Sequence, residues 1–161
     1  MTTTTLFTSL ASLFSELTDG PPAEAAFMLN GGDRGLLRSL DDIGAPAASA
    51  VPPAGGAPIA AHVDHLAYGL SLLNRWSGGD PDPWTGADWT AGWRRTAVND
   101  AEWKALRESL RGEVRHWLAA LQKPRELSAI ELNGVIASIG HLAYHLGAIR
   151  QIDRALQGPK A

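Results

Sequence analysis

Residues 128–151 read S-A-I-E-L-N-G-V-I-A-S-I-G-H-L-A-Y-H-L-G-A-I-R-Q, and this stretch decides both the fold and the place to look for chemistry. Ser128 with Glu131 three residues on has the pattern of a reciprocal N-terminal cap. Val135, Ile139, Leu142, Leu146 and Ile149 then recur at steps of three and four, the period of a helix with one buried face. The spacing predicts a helix running to about Gln157, where Gly158-Pro159 stops it. His141 and His145 stand one turn apart on it, with Cβ atoms expected roughly 5–6 Å apart. Two imidazoles so placed can chelate one ion, each ring nitrogen at about 2.0–2.1 Å. Gly134, Ser138 and Ala148 share their side of the helix. A face built only for packing would more often carry Leu or Ile there, so the small residues leave room.

Three other segments carry the same period. Leu6, Leu10, Leu13, Phe14 and Leu17 mark a helix over Thr3 to Thr18, stopped by Gly20-Pro21-Pro22. Ile59 to Trp76 forms the second long helix, with Pro58 expected at its first position and Val63, Leu66, Leu70 and Leu73 as its core stripe. Asn99 and Glu102 cap a third, in which Trp103, Leu106, Leu110, Val114, Trp117 and Leu121 are core. Short helices are expected over Ala23 to Leu29 and Leu36 to Ile43, with a turn at Gly31–Gly35 between them. No strand precedes those glycines and no Walker lysine follows, so they are not a phosphate loop. Gly44 to Pro58 is an Ala/Pro/Gly-rich connector. Ser77 to Val98 is a long loop holding Trp84, Trp89 and Trp93. A loop of that length is usually functional or folded onto the body. No segment alternates with period two for long enough to be a strand. The expected fold is therefore all-α: one domain over residues 1–161, a four-helix bundle with short extra helices and a Trp-rich loop.

Composition narrows the function classes. At 45% apolar and 19% charged residues the chain is globular, not disordered. A formal charge of −3 with no basic stripe argues against nucleic acid as a partner. No apolar run approaches the roughly 20 residues of a membrane span, and the N-terminus lacks the positive charges of a signal peptide, so a cytoplasmic protein is expected. The absence of cysteine removes disulfides, thiolate ligands and a cysteine nucleophile together.

The remaining chemistry lies in the histidines. His65 sits mid-helix beside an apolar face with Gly69 one turn on, and is the expected third ligand to an ion held by His141 and His145. His62, one turn earlier, is a further ligand, a group orienting one, or a surface residue. Ser138 and Asp64 are the other polar groups nearby. His116 falls off the core stripe of its helix and is expected at the surface. Gly69, Gly134, Trp84 and Trp89 are the expected lining of a pocket. Three neutral imidazoles suit Zn²⁺, Ni²⁺, Fe²⁺ or Mn²⁺. Three protein ligands leave a position for water or substrate. Any thiol in the reaction would come from a small cosubstrate. A di-iron carboxylate site is discarded, since Glu113-x-x-His116 is the sole motif of its kind. Competing readings are a non-catalytic metal or ligand sensor, dimeric in one version, and a structural protein whose histidines pair with backbone or carboxylates.

The segments H-V-D-H-L-A-Y (62–68), D-W-T-A-G-W (88–93) and H-L-A-Y-H-L-G-A-I-R-Q (141–151) resemble the DinB/YfiT-like superfamily of metalloenzymes. The resemblance extends loosely over nearly the whole chain. It implies a four-helix bundle and a three-histidine site, which map onto His65, His141 and His145. It also implies a divalent metal, often nickel or zinc, and transfer or isomerisation with a low-molecular-weight thiol such as mycothiol or bacillithiol. The family's usual R-G-Q-I after the last histidine is replaced here by Leu146-Gly147-Ala148-Ile149.

Overall fold

The structure, a computed structural model, describes residues 2–160. Among these residues it is all-helical. Helix α1 spans Thr3–Asp19, α2 Gly35–Asp41, α3 Ala45–Ala48, α4 Ile59–Ser77, α5 Asp100–Leu121 and α6 Ala129–Ile152. Two 3-10 turns, Gly92–Arg94 and Arg154–Leu156, complete it. The expected caps form. Asn99 and Glu102 at the start of α5, and Ser128 and Glu131 at the start of α6, each make both bonds of a capping box. Pro58 is the N-cap of α4, one place earlier than expected.

The four long helices touch in a closed ring, α1 to α5, α5 to α4, α4 to α6, and α6 back to α1. Every helix contributes to one continuous core, whose largest buried side chains include Trp103, Trp117, Phe14 and Leu17. The two core tryptophans bring N–H groups with them, and both are satisfied. Trp103 Nε1 donates to the Ile43 carbonyl at 2.8 Å, and Trp117 Nε1 donates to Ser138 Oγ at 3.0 Å. The ring makes α4 and α6 neighbours, and these are the helices that carry the four clustered histidines.

Three expectations need correction. Residues 23–29 are not helical. The carboxylate of Glu16, buried at 1% exposure, accepts the backbone N–H groups of Phe27 (3.0 Å), Met28 (2.7 Å) and Leu29 (2.7 Å). A distant side chain thus satisfies donors that a helix would otherwise have used. The last helix ends at Ile152, not near Gln157. Asp153 is extended and its carboxylate caps the 3-10 turn that follows by accepting from Ala155 N at 2.9 Å. The connector after residue 44 contains the single-turn helix α3.

At the end of α1 the chain approaches itself without side chains between. Gly20 (φ +92°) lies against the Asp33 carbonyl. Gly35 (φ +68°) lies against the Gly20 nitrogen, where an added Cβ would sit 2.4 Å away. Both positions need glycine for the dihedral and for the space.

Glu16→Ala should lower unfolding free energy by about 3 kcal/mol, because three backbone N–H donors lose a charged acceptor. Urea denaturation measures this, and Glu16→Gln, which keeps one acceptor oxygen, should cost less.

Candidate metal centre

Four of the five histidines meet between α4 and α6. His65 Nε2 lies 3.1 Å from His141 Nε2, and His141 Nε2 lies 2.9 Å from His145 Nε2. On the other side of His145, its Nδ1 is 2.8 Å from Nδ1 of His62. His65, His141 and His145 form the group able to hold an ion, one nitrogen each, all within 4.8 Å of one another. His116 is exposed on α5, as expected.

The arrangement has a definite hydrogen-bonding problem. A neutral imidazole carries one N–H and one in-plane lone pair, on opposite nitrogens. His141 Nε2 therefore offers one hydrogen or one lone pair to two neighbouring Nε2 atoms. No choice of tautomers gives each contact its own donor and acceptor. One cation can take a lone pair from all three. Two nitrogens at about 2.05 Å from a shared ion stand about 2.9 Å apart at a right angle and about 3.4 Å apart at the tetrahedral angle. The observed 2.9 and 3.1 Å fall in that interval.

Burial adds to the problem. His145 is 1% exposed, and its pKa is pushed down from 6.5 to about 3, first by burial and then by the neighbouring His141, His62 and His65. Burial also lowers the pKa of His62, His65 and His141, and for His65 the nearby His141 and His62 lower it further. The cluster is thus neutral at pH 7, the state in which imidazole binds metal.

Orientation of the rings comes from His62 on α4 and from Trp93 in the loop that follows it. With His145 Nε2 turned to the shared position as a lone pair, its Nδ1 hydrogen points to Nδ1 of His62. His62 then fixes both the tautomer and the tilt of His145. Trp93 stacks on His65 with centroids 4.5 Å apart and planes 29° from parallel, and meets His62 edge-on at 5.2 Å. Gly92 makes that stack possible. A Cβ there would lie 2.7 Å from His65 Cα and 2.8 Å from His65 N. The loop that carries both is tied to α4. Tyr68 Oη accepts from Asp88 N at 2.9 Å, and Asp64 pairs with Arg95 at 2.9 Å. Asp64 therefore holds the loop and not a histidine. Ser138, expected as an additional ligand or orienting group, spends its hydroxyl elsewhere. It accepts from Trp117 and donates to the Val135 carbonyl at 2.7 Å.

A cavity of about 390 Å³ opens on one side of the cluster. His65, Gly69, Trp84, Trp89, Gly134, Ser138 and His141 all border it, so the four expected lining residues share one wall system. Trp84 and Trp89 stack nearly parallel at 6.4 Å, and Trp89 stands 6.4 Å from the His65 ring. Gly92 and Trp93 lay beyond reach of spacing alone, because their contact with His65 is made across a loop. The D-W-T-A-G-W segment was the available signal.

Comparison with protein-family models, with curated proteins and with solved structures finds no match to this chain.

His62→Ala should weaken divalent metal binding about 10- to 100-fold, as loss of a group orienting a ligand does, while His116→Ala should leave it unchanged. Competition titration with a chromogenic chelator reads both. A pH dependence follows as well. The folded-state pKa of each clustered histidine lies below 6.5, so the unfolded chain binds more protons. Stability of the metal-free protein should fall as pH drops from 6.5 towards 3, and His145→Leu should flatten that slope in thermal melts.

Proposed function

We propose that this chain is a metal-dependent enzyme of the DinB/YfiT-like kind. In this reading α1, α4, α5 and α6 form its four-helix bundle, and His65, His141 and His145 hold one divalent ion. The observation that carries the reading is the meeting of three neutral imidazole nitrogens at 2.9 and 3.1 Å, which mutual hydrogen bonding leaves short of partners. An all-nitrogen, cysteine-free donor set suits Zn²⁺ or Ni²⁺ first, with Fe²⁺ or Mn²⁺ as further candidates. When bound, such an ion supplies Lewis acidity towards an oxygen or sulfur donor that enters from the cavity.

The chain's own residues do the rest. His62 holds His145 in the tautomer that presents Nε2. Trp93 fixes the plane of His65. Trp84, Trp89 and Leu66 give the cavity on one side of the cluster an apolar wall. The reaction would be transfer, isomerisation or hydrolysis of a small electrophile, with a low-molecular-weight thiol as the candidate cosubstrate.

One observation favours a second reading, a non-catalytic metal or ligand sensor. No carboxylate, lysine or arginine borders the cavity, and its single hydroxyl is already engaged. A general acid or base beyond the histidines is therefore missing from the lining. Turnover separates the two readings.

Protein loaded with Zn²⁺ or Ni²⁺ and desalted should retain about one ion per chain by elemental analysis, as a three-nitrogen site predicts. The His141→Ala/His145→Ala double variant should retain none. Equal metal content in both proteins would dismiss the centre. A retained ion with no turnover in thiol-transfer and hydrolysis assays would leave the sensor reading in place.

A further inference from the structure

The cavity beside the histidines continues along α6. A second pocket of about 310 Å³ is lined by Leu73, Trp76, Trp84, Ile130, Glu131 and Gly134, and it shares Leu73, Trp84 and Gly134 with the first. The two make one slot between α4, α6 and the tryptophan loop. From His141 to Gly134 is seven residues, about 10 Å along a helix, and from His141 to Ile130 is eleven, about 16 Å. The slot is thus elongated along α6, with the imidazole cluster at one end.

Its walls are almost wholly apolar. Over the first 10 Å they are leucine, tryptophan, glycine and alanine, apart from the imidazoles and the engaged Ser138 hydroxyl. The only charged side chain on the whole length is Glu131, at the far end, and it already accepts from Ser128 N at 2.7 Å. No lysine or arginine lines the slot, though at its far end Arg125 lies over the Trp76 ring at 4.9 Å and its charge acts on Glu131. The polar demand is confined to the histidine end. The apolar groups are also costly to leave to water. Ile130 is 83% exposed, Trp89 45% and Trp84 40%, clustered where single-chain proteins seldom show so much apolar surface without a use for it.

We infer that the slot takes an elongated, uncharged apolar molecule with one oxygen or sulfur donor at its tip. The donor would face His65, His141 and His145, and the tail would lie between Trp84 and Gly134 and point towards Ile130. The donor end of this inference rests on the metal reading above; the tail end rests on the slot alone. It also assigns a role to Gly134. A Cβ there would meet nothing within 4 Å, so the glycine is not required by packing, and a large side chain placed there would project into the open slot. A highly charged thiol finds no complementary group along these walls, which places any such cosubstrate outside the slot.

Two measurements test this separately from metal binding. The first uses metal-free protein and N-phenyl-1-naphthylamine, a neutral apolar fluorophore. Its emission should rise on binding, and Gly134→Phe, which fills the slot, should abolish the rise. Gly112→Phe serves as the control, since Gly112 is an exposed α5 position that also has open space at its Cβ. It should behave as the parent does. The second uses Co²⁺-loaded protein and a series of straight-chain hydroxamates from acetyl to dodecanoyl, read by the visible cobalt bands. Affinity should rise about three- to fourfold per methylene until the slot is full. Gly134→Phe should remove that gain yet leave acetohydroxamate binding intact. A carboxylate on the first few methylenes of the tail, within the uncharged stretch between Trp84 and Gly134, should cancel most of the gain.

Fluorophore binding blocked by Gly134→Phe, in a protein that takes up no metal, would uphold the slot and remove the metal centre. Metal uptake with no fluorophore binding, and with affinity indifferent to tail length, would overturn the slot and leave the metal centre standing. Equal binding of charged and uncharged tails would also overturn it.

Discussion

Three ring nitrogens that face one another in a dry place set the terms for the rest of this structure. Imidazoles tolerate burial when each N–H and each lone pair has its own partner. Here His141 stands between two others with a single group to offer. The surrounding helices hold the rings in that relation and give them no way to turn aside. His62 backs His145, Trp93 lies flat on His65, and Gly92 presses on the backbone that carries His65. The energetic cost of an unresolved polar cluster is tolerable in a native protein where function draws on it.

Much of this was legible in the order of residues. The four long helices follow from apolar periodicity, and two of them start at capping boxes that the structure makes in full. His141 and His145 follow from their four-residue spacing, and Gly69 and Gly134 from the space they leave beside bulky neighbours. These signals are local, which is why they survive translation into three dimensions. Two failures are local, the single turn α3 within the connector and the end of α6 at Asp153; the others are long-range. Residues 23–29 have helix-compatible composition, but Glu16 captures the N–H groups of Phe27, Met28 and Leu29 from eleven to thirteen residues away. Nothing near Ser138 in the chain announces that Trp117 will claim its hydroxyl. The contact between Gly92 and His65 likewise exists because a loop folds back over a helix.

Helix α6 shows how function blurs a pattern. Its buried stripe is clear, yet Ile130, Ile136 and Tyr144 stand exposed on other sides. A helix with a single job in packing would be polar there. This one packs against α1 and α4, carries two of the imidazoles, and forms a wall of the slot. Its sequence is therefore apolar nearly all the way round, and Gly134, Ala137 and Ser138 are the small residues that face the cavity. Trp84 and Trp89 repeat the compromise in the loop, partly turned to solvent and partly lining the slot.

The histidines that converge belong to distant parts of the chain, His65 near its middle and His141 and His145 close to its end. The protein has no cysteine, so no covalent clasp joins those regions. An ion gripped from both sides would act as one that can be opened and closed, spanning a loop of some 76 residues between the two helices. Cross-links over long loops restrict the unfolded chain most. Occupancy of the centre would then set how readily α6 peels away, so the lifetime of the fold would follow the supply of the ion.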